Sequence, residues 1–249
     1  METLPYLREI SLKSEQIDNW NTFPFTIPAI RNLDRLQFSP TVTFIIGENG
    51  SGKSTLVEAI AVAMGFNPEG GTRNFNFGTR NSHSDLHRYL RLVKSIKRPR
   101  DGFFLRAESF FNVATNIEQL DEEPGGPPII NAYGGSSLHE QSHGESFLSL
   151  VLHRFSGNGL YILDEPEAAL SPTRQLAVLA RMNQLLEQDS QFIIATHSPI
   201  LMAYPGALIY HITESGFESV DYEETEHYEV TKAFLDNPDR MLQVLFRND

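Results

Sequence analysis

The chain has 249 residues, 40% of them hydrophobic and 21% charged, which is enough to bury a sizeable core in one large α/β domain. It holds no cysteine, which excludes a disulfide framework and a thiolate zinc site and fits a reducing, cytoplasmic setting. A formal charge of -12 argues against a generally basic nucleic-acid binder, no apolar run is long enough for membrane insertion, and the start METLPYLREISLKSEQ lacks the basic and apolar regions of a signal peptide.

In chain order, Tyr6 to Leu12 and Thr41 to Ile46 read as strands, the second a short buried run ending at glycine. Leu56, Val57, Ile60, Ala61 and Met64 keep helical spacing, so a helix is predicted over Lys53 to Met64 with Gly65 as its stop. Residues 66 to 82 read as loop. Leu86, Leu90, Val93 and Ile96 predict a further helix over Asp85 to Ile96, with Arg88, Arg91 and Lys94 on its other faces. Phe103 to Arg106 reads as a strand and Ser109 to Gln119 as a helix, and the stretch Asp121 to Ser137 is linker-like.

Glu145 to Phe155 then has helical spacing, and Leu160 to Leu163 is a buried strand. Pro172 suits the first turn of a helix capped by Ser171. Phe192 to Ala195 is another buried strand, and Leu208 to Ile212 with Phe217 to Asp221 form a terminal hairpin. The last helical segment is expected to pack Phe234, Leu235 and Leu242 inward as a C-terminal cap or, alternatively, to offer a partner-docking surface. Strands alternating with helices argue a wound α/β sheet in a single domain over 1–249, with residues 66–140 as an inserted helical and loop lobe.

The strongest chemical signal is Gly47, Glu48, Asn49, Gly50, Ser51, Gly52, Lys53, Ser54 and Thr55, a complete GxxxxGK[ST] between a strand and a helix. Glycines let successive backbone N–H groups turn toward phosphate oxygens, and the helix N-terminus adds a favourable dipole. Lys53 is placed to reach the β- and γ-phosphates of ATP, and the Ser54 hydroxyl to ligate Mg2+. The second signal is Leu160 to Glu165, four apolar residues ending in two carboxylates at the carboxyl end of a buried strand. Asp164 is the metal candidate there, and Glu165 the general base that polarises the attacking water.

The run LDEPEAALSP, followed by ATHSP with His197, resembles the ABC-type ATPase family, whose fold is a P-loop NTPase. That resemblance implies a D-loop at Ala169 to Pro172 and a switch histidine, His197, contacting the γ-phosphate. It also implies a signature motif, for which Ser142, His143, Gly144, Glu145 and Ser146 are the best match; the spacing of Ser142 and Glu145 is equally that of a capping box. Because the family's signature closes over ATP on the opposite subunit, the resemblance implies an ATP-sandwich homodimer. Glu108 is a candidate for the metal-sensing position usually held by a glutamine. Trp20, Phe23 and Phe25 are candidates for adenine stacking or, alternatively, for the core. His83 and His87 lack the carboxylate partner a metal motif needs.

The ENGSGKST loop followed by LVEAIA, and the departures of Ser142 to Ser146 from the usual signature, resemble the compact ATPases near the SMC/repair and OLD-like bacterial defence branch; the 86 residues between Thr55 and Ser142 are too few for long coiled-coil arms. Between Arg73 and Arg106 there are nine Lys/Arg against Asp85 and Asp101, net +7, so the remainder carries -19. This segment is either a DNA or RNA contact or a solvated face paired with acids elsewhere. A partner nuclease or effector protein is a further candidate. The alternatives are the ATPase subunit of a membrane transporter and a nucleotide-gated interaction module with little turnover.

Overall fold

A computed structural model describes residues 4–73, 84–107, 110–122, 128–135 and 142–247. The strands are β1 (Leu7–Leu12), β2 (Arg35–Gln37), β3 (Val42–Ile46), β4 (Leu90–Lys94), β5 (Asp101–Arg106), β6 (Gly159–Asp164), β7 (Gln191–Ala195), β8 (Leu208–Thr213) and β9 (Gly216–Ser219). The helices are α1 (Pro28–Arg31), α2 (Lys53–Ala63), α3 (Phe110–Glu122), α4 (His143–Ser149), α5 (Pro172–Leu186), α6 (Pro199–Met202), α7 (Glu226–Asp236) and α8 (Pro238–Leu245). Five parallel strands and one antiparallel edge make the main sheet, in the order β5-β6-β7-β3-β8-β9. A second, antiparallel sheet runs β2-β1-β4.

Parallel strands are covered on both faces, so β3, β6 and β7 are apolar at nearly every position and buried throughout. Alternation divides them between two cores. Phe103, Leu105, Tyr161, Leu163 and Ile194 pack with α3, α4 and α5, while Phe104, Leu160, Ile162 and Ile193 pack with α2 and the small sheet. Each large apolar side chain fully buried this way contributes about 1.5–3 kcal/mol.

The helix predicted over Asp85 to Ile96 is not formed. A short 3-10 turn, Asp85–Tyr89, leads into β4, whose Leu90 pairs with Leu12 and Leu92 with Ile10 of β1. Leu86 and Leu90 are buried as the spacing suggested, but the ladder with β1 supplies the backbone partners and overrides local propensity. Residues 66–140 thus contribute β4 to the small sheet and β5 to the main one, not a helical and loop lobe alone. The helix expected from Glu145 begins at His143 and widens into a π-helical turn over Leu150–Arg154. At the C-terminus, α7 and α8 form, yet Leu235 is 71% exposed and Phe234 38%, against the expectation that they face inward. Tyr222, in the turn ahead of α7, and His227, in its first turn, hydrogen-bond to the body of the molecule, and the second half of α7 is exposed.

β5 and β6 are tied at their first residues by a polar cluster. Asp101 accepts from Arg154 Nη1 at 2.9 Å, from the Ser156 N–H at 3.0 Å and from the Tyr161 hydroxyl at 2.8 Å. Burial alone would raise the Asp101 carboxyl, but Arg154 and these hydrogen bonds outweigh it and hold it below the ordinary range. Asp101→Asn is expected to cost about 1–3 kcal/mol at neutral pH. Because the folded pKa is depressed, that stability is complete above the unfolded value and is lost as pH falls through the folded one. Melting temperatures of wild type and variant, measured from neutral to strongly acidic pH, should therefore converge in acid.

Candidate functional site

In the ladders, Ile45 pairs with Ala195 and Asp164 also pairs with Ala195, so β3 and β6 end level on either side of β7. The residues that follow these ends, Gly47, Glu165 and His197, consequently converge, the usual ligand position in an open α/β sheet. With Glu48, Asn49, Glu167, His211 and His227 they line a cleft of about 710 Å³.

The loop after β3 needs its glycines. Gly50 has φ +80° and Gly52 φ +102°, and a Cβ on Gly52 would lie 2.9 Å from Ile27 Cγ2. Lys53 is 3% exposed and its Nζ donates to the carbonyls of Gly47 and Glu48, each at 2.9 Å. Burial lowers its pKa, and the charges of Glu165, Asp164 and Glu167 partly restore it, which places all three carboxylates near the ammonium. Ser51 Oγ is buried with no hydrogen-bond partner among the described residues. A glycine cradle, a buried cation and an open hydroxyl are what a polyphosphate requires. Ser54 and Thr55 sit partly buried in the first turn of α2. Ser54 and Asp164 offer hard oxygen donors of the kind Mg2+ takes.

Asp164 is buried beside Arg106, whose Nε lies 3.5 Å from Asp164 Oδ2 and whose Nη1 lies 2.7 Å from Glu58 Oε2. Arg106 is therefore part of the site's internal charge balance, although in the sequence it counts toward the basic segment. Glu165 adopts φ 49° and ψ 52°, a left-handed conformation costly for a non-glycine residue, and its N–H donates to Ala195 O at 2.9 Å. His197 Nε2 stands 3.6 Å from Glu165 Oε1. Glu167 anchors the same turn, accepting from the His197 N–H at 2.6 Å and from Thr196 Oγ1 at 2.7 Å.

Ser142 caps α4 with Glu145 in the reciprocal capping box, and Arg174 Nη2 donates to Glu145 Oε1 at 3.1 Å. Hydrogen bonds from Ser142 hold the Glu145 carboxyl below its ordinary range. Gly144 is pressed against the turn after Glu165, where a Cβ would come 2.5 Å from Ala169 O. Ser142, Gly144 and Glu145 are absent from the lining of the cleft. Glu108 and His83 lie outside the described residues. Phe25 is buried against Trp20 and Tyr89, whereas Phe23 is exposed, so the three aromatics do not form one stacking platform. Among the described residues no group of three or more metal-ligating side chains exists, and no helix is long and apolar enough to cross a membrane.

Glu167, Arg106 and His227 were not singled out from sequence. Glu167 is legible within DEPEAAL as a third acid on one turn, while His227 has no local signal, standing 30 residues beyond His197.

Residues 16–122 match a family profile described as "AAA domain", and residues 137–203 one described as "AAA domain, putative AbiEii toxin, Type IV TA system". The chain is 26% identical over 160 residues to the chromosome partition protein Smc of Methanocaldococcus jannaschii, covering 55% of this chain and 13% of that protein. It is 29% identical over 165 residues to the energy-coupling factor transporter ATP-binding protein EcfA1 of Fusobacterium nucleatum, covering 62% of each. Less than two thirds of either relative's length is thus matched. An ATP-binding cassette of an ABC transporter superposes with a TM-score of 0.53 at 17% identity, over 98% of this chain and all of that one, a likeness of fold.

Proposed function

We propose, for a chain that is an ABC-type P-loop ATPase related to the SMC proteins, that two copies sandwich two ATP molecules and hydrolyse them to drive a nucleic-acid-linked process or regulate a partner nuclease or effector. The observation that carries the hydrolytic reading is the convergence of Gly47, Glu165 and His197 at the level ends of β3, β6 and β7, with the Lys53 ammonium on the Gly47 carbonyl and within range of the Glu165 charge. The loop amides and Lys53 hold the phosphates, Glu165 takes the proton of the attacking water, and His197 contacts the γ-phosphate. Ser54 and Asp164 would hold a Mg2+ ion, whose charge would offset that of the polyphosphate. Glu108 is the proposed third metal-side group, and Ser142, Gly144 and Glu145 complete the site of the opposite copy.

Support for a polyanion is narrower than the sequence suggested. Arg88 pairs with Asp85, Arg91 with Glu15, Lys97 with Asp189 and Arg106 with Glu58. Arg73, Lys94 and Arg98 remain as a cluster: Lys94 is lowered first by burial and then by the charges of Arg73 and Arg98. Like charges gathered this way favour an anion between them. The transporter-subunit reading rests on the even coverage of the EcfA1 relative, and the two readings part in one experiment. Turnover of the purified chain is measured with Mg2+, with and without double-stranded DNA, over a range of salt. The nucleic-acid reading expects stimulation of about tenfold that fades as salt rises. Turnover indifferent to DNA removes that reading and leaves the effector and transporter ones, and no Mg2+-dependent turnover removes the hydrolase itself.

A further inference from the structure

We propose that His227 is a positioning residue for ATP hydrolysis: its Nε2–H donates to Nδ1 of His197 and so fixes the proton of His197 on Nε2, the nitrogen that faces Glu165 and the nucleotide cleft. The proposal rests on the hydrolase reading of the same site. Its starting point is one contact, His197 Nδ1 to His227 Nε2 at 3.1 Å, between rings tilted by 49°. A neutral imidazole carries one proton, so one nitrogen of each ring donates and the other accepts. The direction follows from the far side of His197. Its Nε2 lies 3.6 Å from the Glu165 carboxylate, and a carboxylate neighbour favours a proton on the nitrogen it faces. Nδ1 of His197 is then bare, and a bare nitrogen at hydrogen-bond distance requires a donor, which is His227 Nε2–H.

His227 is suited to that role. Burial lowers its pKa, the neighbouring His197 lowers it further, and Lys53 and His211 act in the same sense against Glu226, so it stays a neutral ring with one N–H. The two outer nitrogens of the pair, His227 Nδ1 and His197 Nε2, are both buried without a hydrogen-bond partner among the described residues, so the direction is decided by the Glu165 carboxylate 3.6 Å from His197 Nε2. The main chain of His197 is anchored separately, through its N–H to Glu167, which leaves His227 to steer the ring.

The element bearing His227 is itself fastened to the turn it serves. Thr225 caps α7, accepting from the Tyr228 N–H, and the Tyr222 hydroxyl donates to Pro199 O at 2.8 Å, two residues beyond His197. Glu226, Val230 and Thr231 of α7 line the cleft beside the phosphate loop. The seating of α7 thereby enters the catalytic geometry, since lifting it away releases His197 to either tautomer. A γ-phosphate oxygen needs a donor from His197 Nε2, so the wrong tautomer presents a lone pair to an anion.

The test compares two substitutions. His227→Phe keeps a ring of similar size and removes the N–H; kcat is expected to fall about 10–100-fold while ATP affinity changes by no more than about twofold. His227→Gln replaces the lost donor with an amide N–H and is expected to recover kcat to within about fivefold of wild type. Full activity in the Phe variant, or a Gln variant no better than Phe, overturns the proposal. Nitrogen NMR of histidine-labelled, nucleotide-free protein supplies a readout that needs no turnover. His197 should show a bare Nδ1 and a protonated Nε2 in wild type and the Gln variant, and mixed tautomers in the Phe variant. A wild-type His197 protonated on Nδ1 overturns the proposal even if both variants are slow. A wild type with that tautomer but no ATP turnover defeats the hydrolase reading and with it a catalytic role for His227, while leaving the hydrogen bond established.

Discussion

Glu165→Gln is expected to lower ATP turnover about 10³-fold, close to 4 kcal/mol of transition-state stabilisation, while leaving ATP affinity nearly unchanged. The amide keeps the size of the side chain but has no lone pair basic enough to accept the water's proton. The backbone at Glu165 is held in a left-handed conformation by its N–H to Ala195 O, and this hydrogen bond does not depend on the side chain. The substitution therefore subtracts a proton acceptor and little else. In the proposed sandwich, hydrolysis is the step that releases the two copies, so on that reading the variant should accumulate as an ATP-bound dimer. Size-exclusion chromatography with and without Mg·ATP reads that directly, and a single-turnover assay reads the chemical step. A variant as fast as wild type would move the base elsewhere in the cleft, with His197 or Glu167 as the groups at hand.

The parts of the site legible in sequence are those whose chemistry is local. The phosphate loop is contiguous, and its glycines and Lys53 announce themselves because a backbone cradle needs fixed spacing. Asp164 and Glu165 are visible because four apolar residues ahead of two acids mark the carboxyl end of a buried strand. Glu167 shows where such local reading stops: it lies in the same run, but its partner is the His197 N–H on the next strand's turn. Arg106 shows the same limit. In the sequence it is one of nine cations in a window that reads as a nucleic-acid contact or as a face paired with acids elsewhere; only the fold, with β5 beside β6, shows that its acids are Asp164 and Glu58 of the site. The exchange of helix for strand at Leu90 has the same origin, because helical spacing of buried leucines does not register that β1 has a free edge to be paired.

Gly144→Ala carries the other large effect, because it separates nucleotide binding from dimer closure. Alanine is the better helix former by about 1 kcal/mol, so on propensity alone the change would stabilise α4. The contact decides otherwise. A Cβ at this position would lie 2.4 Å from Arg174 Nη1 and 2.5 Å from Ala169 O. The guanidinium can swing away, giving up its hydrogen bond to Glu145, but Ala169 O is backbone in the turn that follows Glu165. Either that turn or the start of α4 must move, and overpacking of this kind costs about 1–3 kcal/mol. ATP binding by the single chain should stay within about twofold of wild type, because the loop and Lys53 are untouched. Steady-state turnover should fall about 100-fold, the share of catalysis that a misplaced group forfeits. The decisive measurement uses the pair of substitutions together. Glu165→Gln alone should trap the ATP-bound dimer, and Glu165→Gln with Gly144→Ala should remain monomeric in saturating Mg·ATP. A double variant that still dimerises would place the signature surface somewhere other than Ser142 to Glu145, and would leave the contact between Gly144 and Ala169 as packing within one chain.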